Sequence, residues 1–146
     1  MTTISLALLG ALIADQVSKP LLRRAMGSAA IALGPFGQIR IVEGRLWLRR
    51  LNPAPNDRMV WALWVATAVA LVIAGKWLIP SAAIFVGLLL GGSASNAIEQ
   101  SQRGSVSDYV CLRYWPAFNL ADAAVAAGAI GILVELTFFM TRTPGI

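Results

Sequence analysis

Long uncharged stretches alternate with short basic ones along the chain, and each stretch predicts an element. The first apolar run, 4–14, passes into Asp15, Gln16, Ser18 and Lys19 before Pro20. Counted to Leu22, it is long enough to span a bilayer, with polar last turns. It lacks a positive n-region, which predicts a retained first helix rather than a cleaved signal peptide. Asp15 and Lys19 are four apart and so share a helical face. Residues 59–75 are uncharged and carry Trp61 and Trp64 near their start, the pattern of a second span anchored by aromatic rings at an interface. Lys76 ends it, Pro80 marks re-entry, and the next uncharged run predicts a third span over 77–98. Gly87, Gly91 and Ser95 recur every four residues there, a face that another helix can approach closely. Tyr114, Trp115 and Phe118 introduce a fourth span over 119–140, with Asp122 at its entrance and Ala124 and Gly128 forming a second close-packing face.

Residues 23–58 contain no span-length apolar run and are punctuated by Gly27, Gly34, Gly37 and Gly44, as expected of an extramembrane segment. Within it, 38–42 and 45–51 flank Glu43-Gly44 and are rich in Ile, Val, Leu and Trp. That pattern predicts a short β-hairpin studded by Arg40, Arg45, Arg49 and Arg50. The expected architecture is an all-α membrane protein. It comprises one integral membrane domain over 1–146, four transmembrane helices and a small β-hairpin after the first.

Composition narrows the classes. At 146 residues, 58% apolar and a mean hydropathy of +0.71, the chain is too short for two soluble domains and too apolar for one. Twelve basic against seven acidic side chains leave a net charge of +5, which suits anionic headgroups. Nucleic acid is not an expected partner, because the basic residues lack a folded soluble surface interleaved with exposed aromatics. Cys111 is the single cysteine, so no intramolecular disulfide forms, and its expected role is a small apolar filler. No histidine is present, which excludes Ser-His and Cys-His nucleophiles and zinc-protease ligand sets. Acid–base chemistry falls to Asp15, Glu43, Asp57, Glu99, Asp108, Asp122 and Glu135.

Polar side chains gather where the spans meet the first and third loops: Asp15 and Lys19, Asn52, Asn96 and Glu99, Asp108, Asn119 and Asp122. Ionisable groups at membrane depth cost about 2.5–3.5 kcal/mol each on insertion scales, so a converging set points to a site rather than to solvated helix ends.

Three of these segments resemble a known family, the lipoprotein (type II) signal peptidases. Asp15-Gln16-Val17-Ser18-Lys19 resembles its D-Q-x-S/T-K, Gly104-Ser105-Val106-Ser107-Asp108 its G-x-V-x-D, and Phe118-Asn119-Leu120-Ala121-Asp122 its F-N-x-A-D. The resemblance implies an aspartyl endopeptidase with Asp108 and Asp122 catalytic, removing the signal peptide from diacylglyceryl-modified prolipoproteins just before the lipidated cysteine. Two carboxylates doing this must share a proton, and the turn near Pro116 permits their convergence. Asn52, Asn96 and Asn119 are expected to bind substrate or orient the dyad, and Asp15, Lys19 and Glu99 to give structural support. No metal or cofactor is expected. The implied partners are a lipid-modified prolipoprotein and membrane lipids, with room for lipid tails beside Gly91 and Gly92 or, more simply, helix packing there. The implied location is the bacterial cytoplasmic (inner) membrane, with both termini inside and the site at the outer leaflet. The basic residues argue otherwise: ten lie in the first and third loops against Lys76 and Arg142 opposite, which the positive-inside rule reads as a cytoplasmic loop.

The sequence also departs from the family. Ser95-Asn96-Ala97-Ile98-Glu99-Gln100 stands where G-N-x-x-D-R is expected, and Asn52-Pro53-Ala54-Pro55-Asn56-Asp57 where N-x-G-A-x-F is expected. Gln100 removes a fixed cation for which Arg103, a turn later, is a candidate substitute. These departures keep open a catalytically silent relative that binds lipoproteins or lipids, and, as a third class, a small transporter or channel subunit. Glu135, deep in the fourth span, is expected to snorkel or to meet Lys76.

Overall fold

A computed structural model describes residues 2–44, 57–77 and 79–142. Helices occupy the four places marked by apolar runs: α1 (Thr2–Met26), α2 (Asp57–Trp77), α3 (Ala83–Arg103, entered through a 3-10 turn at Pro80–Ala82) and α4 (Leu120–Arg142). Three helical stretches, Thr2–Met26, Pro80–Arg103 and Leu120–Arg142, are long and apolar enough to cross a membrane, and α2 carries a shorter apolar stretch, Trp61–Gly75. Their outer faces expose Leu6, Leu9 and Ile13 on α1, Leu63, Val69 and Ile73 on α2, and Ile130, Leu133 and Phe138 on α4. Such faces suit lipid, and the fold is that of a multi-pass membrane protein. Helix α1 continues past Pro20 to Met26, and Arg23 and Arg24 in its last turn complement the negative end of the helix dipole.

Helix α3 is the central element. Glycines let its neighbours approach until backbones touch: a Cβ at Gly91 would lie 2.3 Å from the Leu8 carbonyl oxygen of α1, and one at Gly92 would lie 2.4 Å from that of Ala121 in α4. Gly128 returns the contact from α4, facing the Phe85 carbonyl. The space beside Gly91 and Gly92 is therefore filled by protein, which excludes lipid tails from it. In lipid such close fits supply van der Waals attraction that hydrophobicity does not. Ile4, Val86 and Leu90 form the core, flanked by Trp64, Ala68, Leu71 and Val72 of α2. Trp64 is fixed there by donating from Nε1 to Ser93 Oγ at 2.9 Å.

The first strand of the expected hairpin is present and gains two further partners. Strand β2 (Gly37–Gly44) runs longer than 38–42 and pairs antiparallel with β1 (Ile31–Ala32) on one side and β3 (Val106–Leu112) on the other. Residues 45–51, its expected partner, lie outside the described residues. Strand β3 comes from what reads in sequence as a short polar stretch, yet Val106, Tyr109, Val110 and Leu112 are good strand formers. The register runs from Gly37 opposite Leu112 to Gly44 opposite Val106, with a bulge between Ile39 and Val42. Gly37 has φ 147°, and a Cβ there would meet the Cys111 carbonyl oxygen, so this end of the ladder closes only around glycine.

Candidate active site

The site is built at the start of α4. The carbonyl of Phe118 accepts from the N–H groups of Tyr109 and Val110, and its own N–H donates to Val110, so the chain after the Pro116 turn folds back onto β3. Asn119, fully buried, then caps the helix. Its Oδ1 accepts from the Asp122 N–H at 2.9 Å, while Asp122 Oδ2 accepts from the Asn119 N–H at 3.2 Å, a reciprocal capping box. The remaining first-turn donors are also satisfied: Leu120 N–H donates to the Tyr109 hydroxyl at 2.9 Å and Ala121 N–H to Asp15 Oδ1 at 2.9 Å. The F-N-x-A-D segment is thus a helix start in which Asp122 serves both cap and site.

The two carboxylates meet across Asn119. Its Nδ2 donates to Asp108 Oδ1 at 3.0 Å, on β3, and the same amide nitrogen faces Asn96 Oδ1 and the Ser107 carbonyl. Asn96 Nδ2 on α3 donates to Asp122 Oδ1 at 2.8 Å, so both Asp122 oxygens accept hydrogen bonds. Asp108 is half-buried; that burial, and next the charge of Asp122, push its carboxyl up to about 6. Strand β2 leaves room beside it, because a Cβ at Gly44 would lie 2.8 Å from Asp108 Oδ2.

Behind the dyad lies a compact charge network. Buried Lys19 reaches Asp15 Oδ2 at 2.6 Å, Glu99 Oε2 at 2.9 Å and Asn96 Oδ1 at 3.0 Å. Ser95 Oγ donates to Asp15 and accepts from Gln16 Nε2. Glu99 also takes Arg23 Nη2 at 2.6 Å and, from β3, Ser107 N–H and Oγ; Arg23 in addition donates to Ser107 Oγ. Asp15, Lys19, Arg23 and Glu99 are two anions and two cations, which is how charge survives burial.

The structure therefore brings together Asp15, Lys19, Asn96, Glu99, Asp108, Asn119 and Asp122. Asn52 lies outside the described residues. Gln100 is buried in α3, and Arg103 is exposed at its end. Glu99 meets two cations, Lys19 and Arg23; sequence reasoning missed Arg23 although it continues the stripe of Asp15 and Lys19 one turn on. Ser107 and Tyr109, also missed, enter only through the strand. Glu135 accepts from Ser81 Oγ at the turn before α3, while the Lys76 side chain lies outside what the structure describes.

Fold and site together define a helical membrane protein whose one end pairs two carboxylates within a bed of amides. The sequence model described as Signal peptidase (SPase) II matches residues 7–138. The chain is 38% identical over 116 residues to the lipoprotein signal peptidase of Xylella fastidiosa (strain 9a5c), covering 67% of this chain and 70% of that one. With the lipoprotein signal peptidase of Xanthomonas oryzae pv. oryzae (strain PXO99A) it shares 33% identity over 122 residues, 70% of this chain and 74% of that one. A bacterial membrane enzyme solved by the in meso method at 1.9 Å superposes with a TM-score of 0.77 over 93% of each chain at 21% identity, a likeness of fold. The chain belongs to the signal peptidase II family, a family of membrane peptidases.

Proposed function

We propose that the protein is an aspartyl endopeptidase that cleaves the signal peptide from diacylglyceryl-modified prolipoproteins, just before the lipidated cysteine. The observation that carries this reading is Asn119, whose one side chain touches both Asp108 and the helix turn bearing Asp122. An acid held near pH 6 beside a carboxylate whose oxygens already accept hydrogen bonds is the division of labour that water-mediated peptide hydrolysis needs. Asp122 takes a proton from water as its oxygen attacks the scissile carbonyl carbon, and Asp108 gives its proton to the carbonyl oxygen. Collapse breaks the C–N bond, the leaving amine takes the proton from Asp122, and Asp108 regains one from the intermediate's hydroxyl. Asn96 and Asn119 hold the carboxylates in place without titrating.

The integral membrane domain, by this reading, sits in the bacterial cytoplasmic membrane with both termini inside and the dyad at the outer leaflet, where the substrate's lipid chains stay in the bilayer. Gln100 in place of the family arginine and the Pro53-Ala54-Pro55 run after Asn52 are the arguments for a silent relative. The Gln100 argument loses force because the dyad keeps a cation near it: the charge of Lys19 acts on the Asp108 carboxyl. Cleavage of a diacylated prolipoprotein by the reconstituted protein, present with wild type and absent with Asp108→Asn, tests the proposal; equal cleavage by both overturns the aspartyl mechanism.

A further inference from the structure

The first turn of α4 sends two neighbouring donors out of the helix. Ala121 N–H reaches Asp15 Oδ1, and Leu120 N–H reaches the hydroxyl of Tyr109, the residue that follows Asp108 on β3. Successive side chains of a strand leave it on opposite faces, so Tyr109 braces β3 from the side away from Asp108. The same hydroxyl meets Ser18 Oγ of α1 at 3.3 Å. Three elements therefore join at one phenol oxygen: the strand carrying Asp108, the helix carrying Asp122, and α1.

Proton counting fixes the direction of these bonds, because a hydroxyl has one proton to give. Ser18 gives its own to the Asp15 carbonyl at 3.0 Å, so in its contact with Tyr109 it accepts. Tyr109 donates there and accepts from Leu120 N–H at 2.9 Å. The chain runs one way, from Leu120 through Tyr109 and Ser18 to the backbone of Asp15. With both protons committed, neither hydroxyl is left to serve as an acid or a nucleophile toward substrate. What the chain does is hold distances.

The other links from β3 stop at or before the helix cap. The Phe118 backbone pairs with Tyr109 and Val110, and Asn119 Nδ2 reaches Asp108 Oδ1 and the Ser107 carbonyl. The capping box of Asn119 and Asp122 turns with the helix start and so does not set its angle to the strand. The Tyr109 bond goes one residue further than Asn119, into the helical turn itself.

We propose that the Tyr109 hydroxyl is a positioning group for the cleavage reaction: by holding Leu120 N–H it draws the first turn of α4 against β3 and sets the gap between Asp108 and Asp122. The inference rests on the peptidase reading above, and Tyr109 acts through the backbone rather than on the reacting atoms. The gap is legible in the titration of Asp108. Burial, and next the charge of Asp122, raise that carboxyl, and a wider gap weakens the second cause. The other charges acting on it are Lys19 of α1, which lowers it, and Glu99 of α3, which raises it; Arg40 and Glu43 of β2 are exposed.

Two variants cut the same bond from opposite sides. Tyr109→Phe removes the hydroxyl and keeps the ring; Leu120→Pro removes the donor at the first position of a helix, where proline is well tolerated. Each full-length variant, and the two combined, is compared with wild type in cleavage of a diacylated prolipoprotein across pH and in a carbon-13 NMR titration of the Asp108 carboxyl in micelles. The expected result is a kcat lower by about tenfold or more, the scale of a displaced reacting group, with KM unchanged. The alkaline limb of the profile and the Asp108 titration both move to lower pH, and the double variant is no worse than either single one. A lowered thermal midpoint with wild-type kcat and pH limb overturns the proposal, since the bond then serves stability alone. If wild type itself does not cleave, the peptidase reading falls and the titration decides this one: lowered in the variants it upholds the brace, unmoved it overturns it. Should one variant fail to fold, the other decides alone.

Discussion

The Lys19 ammonium donates to Asn96 Oδ1 at 3.0 Å and thereby settles which end of that amide faces Asp122. With the oxygen claimed by the cation, the NH2 group is left to point at the carboxylate. A residue of the first helix thus orients the amide that faces Asp122, the dyad member carried by the last.

Lys19→Met should accordingly do two things. It strands Asp15 and Glu99 with part of their charge uncompensated, a cost of about 3–5 kcal/mol for breaking a buried pair, visible as a lower thermal midpoint in detergent. It also frees Asn96 to rotate, so cleavage measured at a temperature where the variant stays folded should drop as well. Glu99→Gln, which leaves Lys19 paired to Asp15, should lower activity without abolishing it.

Replacing either Asp108 or Asp122 by Asn should abolish cleavage while leaving a folded, membrane-inserted protein. Asparagine keeps the shape but carries no exchangeable acid proton. Because the pair acts as a unit, the double variant should be little worse than either single one. Single-turnover assays on a diacylated substrate give the comparison, and additive losses would mean the two residues act separately.

Activity should follow a bell-shaped pH profile whose constants belong to the pair. With Asp108 held near 6, kcat/KM should begin to fall as pH rises past that value and the shared proton is lost. Stability has the same sign. A carboxyl whose folded value lies above its unfolded value of about 3.9 binds more protons when folded, so its contribution is present at low pH and lost as pH rises from about 4 through 6. Asp108→Asn should flatten that part of a denaturation-versus-pH curve.

Gly44→Ala should impair catalysis more than folding. The added methyl falls 2.8 Å from Asp108 Oδ2, a flexible side-chain atom that can give way, but only by moving the acid. A displacement of about 1 Å at a reacting group can cost on the order of a hundredfold in rate. Unchanged kcat would show that Asp108 has slack toward β2.

Reporter fusions at Gly44 and at the C-terminus should report opposite sides, with the C-terminus cytoplasmic. The lysine and arginine bias argues against this orientation, but a sheet that keeps its arginines against headgroups offers an alternative to translocation cost. A cytoplasmic Gly44 would sink the outer-leaflet site.

Local pattern made the helices legible: uncharged runs bounded by Pro, Lys and interfacial aromatics mark α1, α2 and α4 to within about four residues, while α3, Ala83–Arg103, starts and ends later than the expected 77–98 because a 3-10 turn at Pro80–Ala82 precedes it and the helix continues through the polar Glu99–Arg103. It also marked Asp108, Asn119 and Asp122, because the helix start that joins them lies within a short segment. The pairing of β2 with β3 was not legible, since that partner comes from the far side of two helices and nothing in 38–44 points to it. The same distance hid Arg23 and Ser107, which are neighbours only once α1 and β3 lie together. Gly91 and Gly92 showed that small residues mark close approach, but only the fold says that helices fill the space.

The pairing of β2 with β3 also bears on the order of assembly. Its two strands are separated by α2 and α3, and the dyad's supports come from α1, α3, β3 and α4, so the site draws on residues from Asp15 to Asp122. Contacts so distant in sequence form late, after the intervening loop has been closed. In a chain made from its N-terminus, Asp108 therefore meets the Asn119 amide, eleven residues further on, only once the start of α4 has taken its place against β3 and α3.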